Sequence, residues 1–395
     1  MQGINHKVQY RDYYGNILVI LLLSRVGSET INTFVFDKAN YLWSLCALAC
    51  IAVLVWPLLT MLPRLAYFPV FAYLCFMLTR TDFGNLYSIK CFFSEFIVWF
   101  FFVFTAELSS RDSQAASRVR TSVVWAVKIV LIVALAQMAF FLASAGTLSP
   151  TLLVESRAVH GIFHHPNIYI VVVLPFLLFF IKQRSYPWIL IAMITCLATG
   201  TRSPFVALLC LSIPLFKSVL KRPITRVDIT CSLIITIVTY YLMIKANLDV
   251  TNYDDSPSRL NFASLQWRIQ YWTNFLILNH DFSSWFGHGV GSADFFDGAL
   301  TEYAPHNDYL RIYYDTGILG IFLLLNLIIY ILRLLMRSVN VLTDFIVIAY
   351  LVLICFFLTD NFVYYTHSLW FYVFMATFIS IPSARTQKRR SQVNV

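Results

Sequence analysis

The sequence predicts an all-α polytopic membrane protein with about 12 transmembrane helices and one large outward loop. Three observations carry that expectation. The 395 residues are 59% hydrophobic and only 12% charged, whereas soluble domains average about 25% charged residues. Apolar stretches near ~20 residues recur along the whole length, the span that a ~30 Å hydrocarbon core asks of a helix. The basic residues cluster on alternate connections, as cytoplasmic loops do. A β-barrel would need alternating segments of about 10 residues, and these are absent.

Taken in order, the first apolar run, 15–36, contains ILVILLL and lacks a small-residue cleavage site, so it reads as the first span and not as a removed signal. Spans 41–61 and 65–79 follow, the latter short and closed by Arg80. Span 89–107 is rich in phenylalanine, and span 122–144 follows a basic connection. Short spans at 168–181 and 186–200 and a further span at 203–220 are separated by KQRS and by GTRSP. Span 228–247 follows KRPITR, and 308–332, 341–358 and 362–382 complete the chain. With the N-terminus in the cytoplasm, more than half of the 29 Lys and Arg residues fall on that side, which puts both termini there. Arg25, Lys128 and Arg311 lie within spans or at their ends.

This divides the chain into N-terminal spans over 1–247, an outward loop over 248–307, and C-terminal spans with a basic tail over 308–395. The loop holds FASLQWRIQYWTNFLIL at 262–278, whose apolar groups recur at helical spacing, as in an amphipathic helix lying on a membrane face. No internal repeat relates the two halves. The net charge of +9 belongs to membrane topology, not to nucleic acid. The basic tail ARTQKRRSQ suits anionic lipid. Eight cysteines form no CxxC pair and sit mostly in apolar spans, so neither zinc nor a disulfide framework follows.

Chemistry is expected at five outward pieces: RAVHGIFHHPN (157–167), TGTRSPF (199–205), LQWRIQYW (265–272), GHGVGS (287–292) and PHNDYLRIYYDTGILG (305–320). Ionisable groups at membrane depth cost about 2.5–3.5 kcal/mol on insertion scales, so each needs a task or a partner. Arg202, in a turn too short to leave the membrane by much, can grip a phosphate with its planar fork; a snorkelling helix-end arginine is the plainer alternative. Arg268 lies between Trp267 and Trp272, as either an anion ligand or part of an interfacial aromatic belt. His306 can take a proton from an attacking hydroxyl near neutral pH, or simply make a packed polar contact. Asn307 and Asp308 suit the N-cap of the tenth span. His160, His164 and His165 lack a carboxylate at ligand spacing, so no metal is expected. GHGVGS lacks the strand and helix of a phosphate loop, and its glycines suit close backbone approach.

T-G-T-R-S, the loop arginine followed by tryptophan (Arg268 to Trp272), GHGVG and HNDYLRIYYDTGILG occur in this order. At these motifs the sequence resembles the O-antigen polymerase and O-antigen ligase superfamily, mainly over 157–320. The resemblance implies a glycosyltransferase-C-like membrane fold in the bacterial inner membrane, with a periplasmic loop and active site. It implies a metal-independent glycosyltransferase without cofactor, acting on undecaprenyl-pyrophosphate-linked oligosaccharide. A chain-length regulator protein is a further expected partner. The family's roles carry over to Arg202 and Arg268 on the pyrophosphate and to His306 near the acceptor. Arg157, His164, Arg259, Asn307 and Arg311 stand as second-rank substrate contacts. Polymerase is the leading expectation, ligase the alternative; a flippase, which should show repeated halves and charges facing a midplane cavity, is more remote.

Overall fold

The computed structural model describes residues 2–34, 39–61, 67–145, 159–163, 166–199, 272, 283–298, 307–337, 343–356 and 368–379, with scattered positions between 213 and 238. Every extended element among the described residues is a helix. In chain order these are α1 (Gln2–Phe34), α2 (Ala39–Met61), α3 (Phe68–Thr79), α4 (Leu86–Arg111), α5 (Ser113–Ala145), α6 (Pro166–Lys182), α7 (Tyr186–Ala198), the single turn α8 (Ser283–Phe286), a 3-10 helix (Ser292–Gly298), α9 (Asp308–Arg337), α10 (Thr343–Phe356) and α11 (Leu369–Ala376). Each apolar run predicted from 15–36 to 186–200 and from 308–332 onward overlaps one of the helices α1–α7 and α9–α11. Of the predicted spans 203–220 and 228–247 only isolated positions are described. Amphipathic segment 262–278 lies outside the described residues apart from Trp272.

Hydropathy ends at the lipid boundary; a helix ends where its backbone is capped. That is why α1, α4, α5 and α9 outrun the predicted spans. Asn85 caps α4 by accepting from the Tyr87 amide at 2.9 Å. At the other end, extended Asp112 (φ −143, ψ 98) stops α4, and its Oδ1 accepts from the Gln114 and Ala115 amides at 2.9 and 3.0 Å. One residue thus closes one helix and caps the next.

Three described helices, Leu86–Arg111, Ser113–Ser144 and Asp308–Met336, are long and apolar enough to cross a membrane, with shorter apolar helices beside them. Large apolar side chains on these helices and on α1 are exposed: Ile20, Leu42, Leu86, Phe140, Leu190 and Phe322 all face outward. An apolar exterior of this extent is the surface that lipid covers. The interior is aromatic. Trp99 on α4 meets Tyr372 on α11 at 4.7 Å between centroids, and Phe374 packs on Phe176 and Phe179 of α6 at 4.8 and 5.0 Å. α11 therefore threads between α4, α5 and α6, while α1 packs on α2 and α5, α10 on α6, and α9 on α3 and α10.

The three cations predicted within or at the ends of spans all have partners. Arg25 forms a buried ion pair with Glu29 one turn on, and its guanidinium lies 4.6 Å from the Trp43 ring of α2. The Lys128 ammonium sits 4.7 Å from the Trp125 ring and 4.9 Å from the Trp188 ring. Arg311 pairs with Asp294. Aromatic faces and carboxylates replace the water that such charges leave behind.

Candidate functional site

The polar junction begins at Asn307. Its Oδ1 accepts from the Leu310 amide at 3.1 Å, the N-cap geometry, and its carbonyl accepts from the Arg311 amide at 3.0 Å. One turn into α9, the Arg311 guanidinium is fully buried and bonded to the Asp294 carboxylate. The same carboxylate accepts from the Tyr87 hydroxyl at the start of α4. Asp294 thereby ties the segment 283–298 to α4 and α9 together.

A second carboxylate, Asp315, lies one turn further on. Its two oxygens accept from the Gly291 amide at 2.8 Å and the Ala293 amide at 2.7 Å. The Ser292 hydroxyl lies 3.0 Å from Asp315 Oδ1 and 2.6 Å from the Gly289 carbonyl, and donates to one at a time. The amides of the glycine turn thus enclose an anion, as consecutive amides in such turns do. That anion is the protein's own carboxylate.

α9 is broken at Gly317, which takes φ 69 and ψ −168. The break frees carbonyls that a continuous helix would use, and the turn supplies donors for two of them. His288 N bonds the Tyr314 carbonyl at 2.9 Å and Gly289 N bonds the Asp315 carbonyl at 2.8 Å. Two backbones must touch for this. A Cβ on Gly287 would stand 2.3 Å from Thr316 N, and one on Gly317 would stand 2.3 Å from the Trp285 carbonyl carbon. The contact surface is glycine against glycine. Arg80, closing α3, bonds the Gly287 carbonyl through Nη2 at 2.9 Å and offers its own carbonyl to Val290 N. His288 stacks on Tyr314, centroids 4.4 Å apart.

Beside a different helix, residues 159–163 are docked by Gln137 of α5. Its Oε1 accepts from the His160 and Gly161 amides at 3.2 and 2.8 Å, and its Nε2 donates to the Gly161 carbonyl at 2.7 Å. Burial pushes the His160 imidazole below the ordinary histidine value.

Of the sequence-predicted site residues, the junction contains Asn307 and Arg311. Arg157, His164, Arg202, Arg259, Arg268 and His306 lie outside the described residues. Both described members face inward and hold the start of α9 in place. Asp294, Asp315 and Gln137 were missed by sequence reasoning. Asp315 had a readable signal: three glycines at alternate positions ending in serine present a ring of amides, and such a ring wants a carboxylate nearby. Among the described residues no group of His, Cys, Asp or Glu has the arrangement of a metal site.

The junction is an anchor: two carboxylates, one guanidinium and a glycine turn fix the entry of α9. No curated protein matches the chain. The family model described as O-antigen ligase matches residues 187–325, a stretch that runs from α7 through the glycine turn to the middle of α9, and over that length the chain is similar to the O-antigen polymerase and ligase superfamily.

Proposed function

We propose that the protein is a polysaccharide polymerase of the bacterial inner membrane. It transfers undecaprenyl-pyrophosphate-linked glycan onto an incoming lipid-linked repeat unit at the periplasmic face. The observation that carries this reading is the family match, whose 187–325 stretch contains Arg202, Arg268 and His306 together with the anchored turn. About twelve spans, cytoplasmic termini and a periplasmic loop over 248–307 belong to the same proposal, as do the three chain segments 1–247, 248–307 and 308–395.

The chemistry asked of these residues is modest. The donor's isoprenoid tail keeps it in the bilayer plane, so its pyrophosphate arrives at the membrane rim. Arg202 and Arg268 hold the departing diphosphate, stabilising charge as it develops. His306 takes the proton from the acceptor hydroxyl, whose oxygen attacks the anomeric carbon and inverts it. No second carboxylate is needed, unlike the two-acid arrangement of glycoside hydrolysis. Arg157, His164 and Arg259 serve as secondary contacts to the substrate, while Asn307 and Arg311 support the site from behind. A ligase passing the glycan to lipid A–core shares the donor and leaving group and is the second reading, favoured by the likeness to the O-antigen ligase family.

The test is polymerisation by the purified protein, given extracted lipid-linked repeat units and a chelator. Chains of several repeats should form, and His306→Ala should reduce their formation by about 100-fold or more. No lengthening without added lipid A–core, but transfer once it is supplied, would replace the polymerase with the ligase. Movement of the label across vesicles without any new glycosidic bond would overturn both.

A further inference from the structure

Lys128 lies within the apolar part of α5, and its side chain is half-buried. Its ammonium sits 4.7 Å from the ring centroid of Trp125, one turn earlier on α5, and 4.9 Å from that of Trp188 in the first turn of α7. Ring faces attract a cation, but they offer no lone pair to its three N–H donors. No oxygen among the described residues accepts from it, and α5, α6 and α7 contain no Asp or Glu at all. An ammonium without an acceptor is costly in hydrocarbon, so it reaches for the headgroup layer.

Three features of the two helices match that layer. Side chains on a helix lean toward its N-terminus, and the contact with Trp125 directs Lys128 toward the end of α5 that carries Arg118 and Arg120. Trp188 follows the turn of Lys182, Gln183 and Arg184 by one helical turn, and Gln183 and Arg184 are exposed. Trp125 is 53% exposed, and beyond it the exposed side chains of Ile129 and Ile132 on α5 and of Leu190, Met193 and Leu197 on α7 are aliphatic. Charge, then indole, then aliphatic surface is the order that suits phosphate, glycerol region and acyl chain.

We propose that Lys128, Trp125 and Trp188 form a site for the phosphate of an anionic phospholipid, at the lipid-facing edge where α5 packs on α7. The phosphate oxygens take the N–H bonds that the protein leaves open, the indoles flank the glycerol, and the acyl chains lie along the aliphatic stripe. The turn's Lys182 and Arg184 add a positive field that favours an anionic headgroup over a zwitterionic one, whose own ammonium it repels. In the topology proposed above this is the cytoplasmic leaflet. The site goes beyond glycan transfer and holds whatever the acceptor is.

The experiment reads lipid binding and needs no glycan substrate. Purified wild type, Lys128→Met and Lys128→Arg in detergent are titrated with phosphatidylglycerol or phosphatidylcholine, and bound lipid is counted by native mass spectrometry. Wild type should hold phosphatidylglycerol about 5-fold more tightly than phosphatidylcholine, the factor that one cation contributes at a membrane surface. Lys128→Met keeps the aliphatic stem and should lose that preference, whereas Lys128→Arg should keep it. An undiminished preference in Lys128→Met, or none in wild type, overturns the site. Two competitors test the source of the phosphate. Inorganic phosphate or undecaprenyl phosphate that displaces phosphatidylglycerol from wild type at equal concentration contradicts a bilayer phospholipid as the occupant. Should Lys128→Met not fold, lipids brominated near the headgroup decide in its place. The anionic one should quench tryptophan fluorescence more than the zwitterionic one, with the excess shrinking in Trp125→Phe, and equal quenching by both refutes the proposal.

Discussion

At the scale of single residues, the junction depends on charges that cannot be removed singly. Arg311 and Asp294 are both buried and bonded to each other, so deleting one strands the other. Arg311→Leu should lower stability by about 3–5 kcal/mol, read from denaturation in detergent. Replacing both by apolar residues of similar volume should restore most of the loss. Gly317 is constrained differently, by φ 69 and by a neighbouring backbone at 2.3 Å from any Cβ. Gly317→Ala should cost at least about 1–2 kcal/mol from the left-handed backbone alone, and more from displacing residues 285–287; a variant as stable as wild type would mean that the turn does not seat there. Much of this was legible in residue type. Asn307 sits where a capping amide was expected, and the glycines of GHGVGS do make the close backbone approach. The glycine turn's need for an anion was readable, but Asp315 as that anion was not, because nothing local says which of several acids will fold back onto it.

At the scale of elements, hydropathy located helices but not their ends. α5 begins at Ser113, well before the apolar run at 122, because Asp112 caps it. The short runs 168–181 and 186–200 emerge as α6 and α7, joined by a tight turn through Arg184 at φ 54. The docking of residues 159–163 on α5 was invisible in sequence, since it rests on one glutamine reaching across 23 residues. That docking should respond to pH. The folded His160 holds its proton less tightly than an unfolded histidine near ~6.5. As pH falls through that value the undocked state binds more protons, and docking weakens. Hydrogen exchange of the Gly161 amide, corrected for intrinsic rates, should show less protection at pH 5 than at pH 8. Equal protection at both would mean that the ring faces water in either state.

At the scale of the whole molecule, an apolar exterior encloses helices whose buried Arg25 and Arg311 are each matched by a carboxylate. The composition made that class legible from the outset, because half the usual charge is missing. The motifs were legible only as an ordered set along the chain, and the family match over 187–325 covers most of that stretch. What the junction adds is rigidity: the turn at 287–293 and the first turns of α9 are fastened to α3 and α4, so the start of α9 at Asn307 is held in a fixed frame. The central claim is that Arg202, Arg268 and His306 meet on the periplasmic side. It is tested most directly in intact cells, using variants freed of native cysteines and carrying Arg202→Cys, Arg268→Cys or His306→Cys. A membrane-impermeant maleimide added outside the inner membrane should label all three positions, and undecaprenyl pyrophosphate should protect them together. Labelling of any one only after the membrane is opened from the cytoplasmic side would contradict the account.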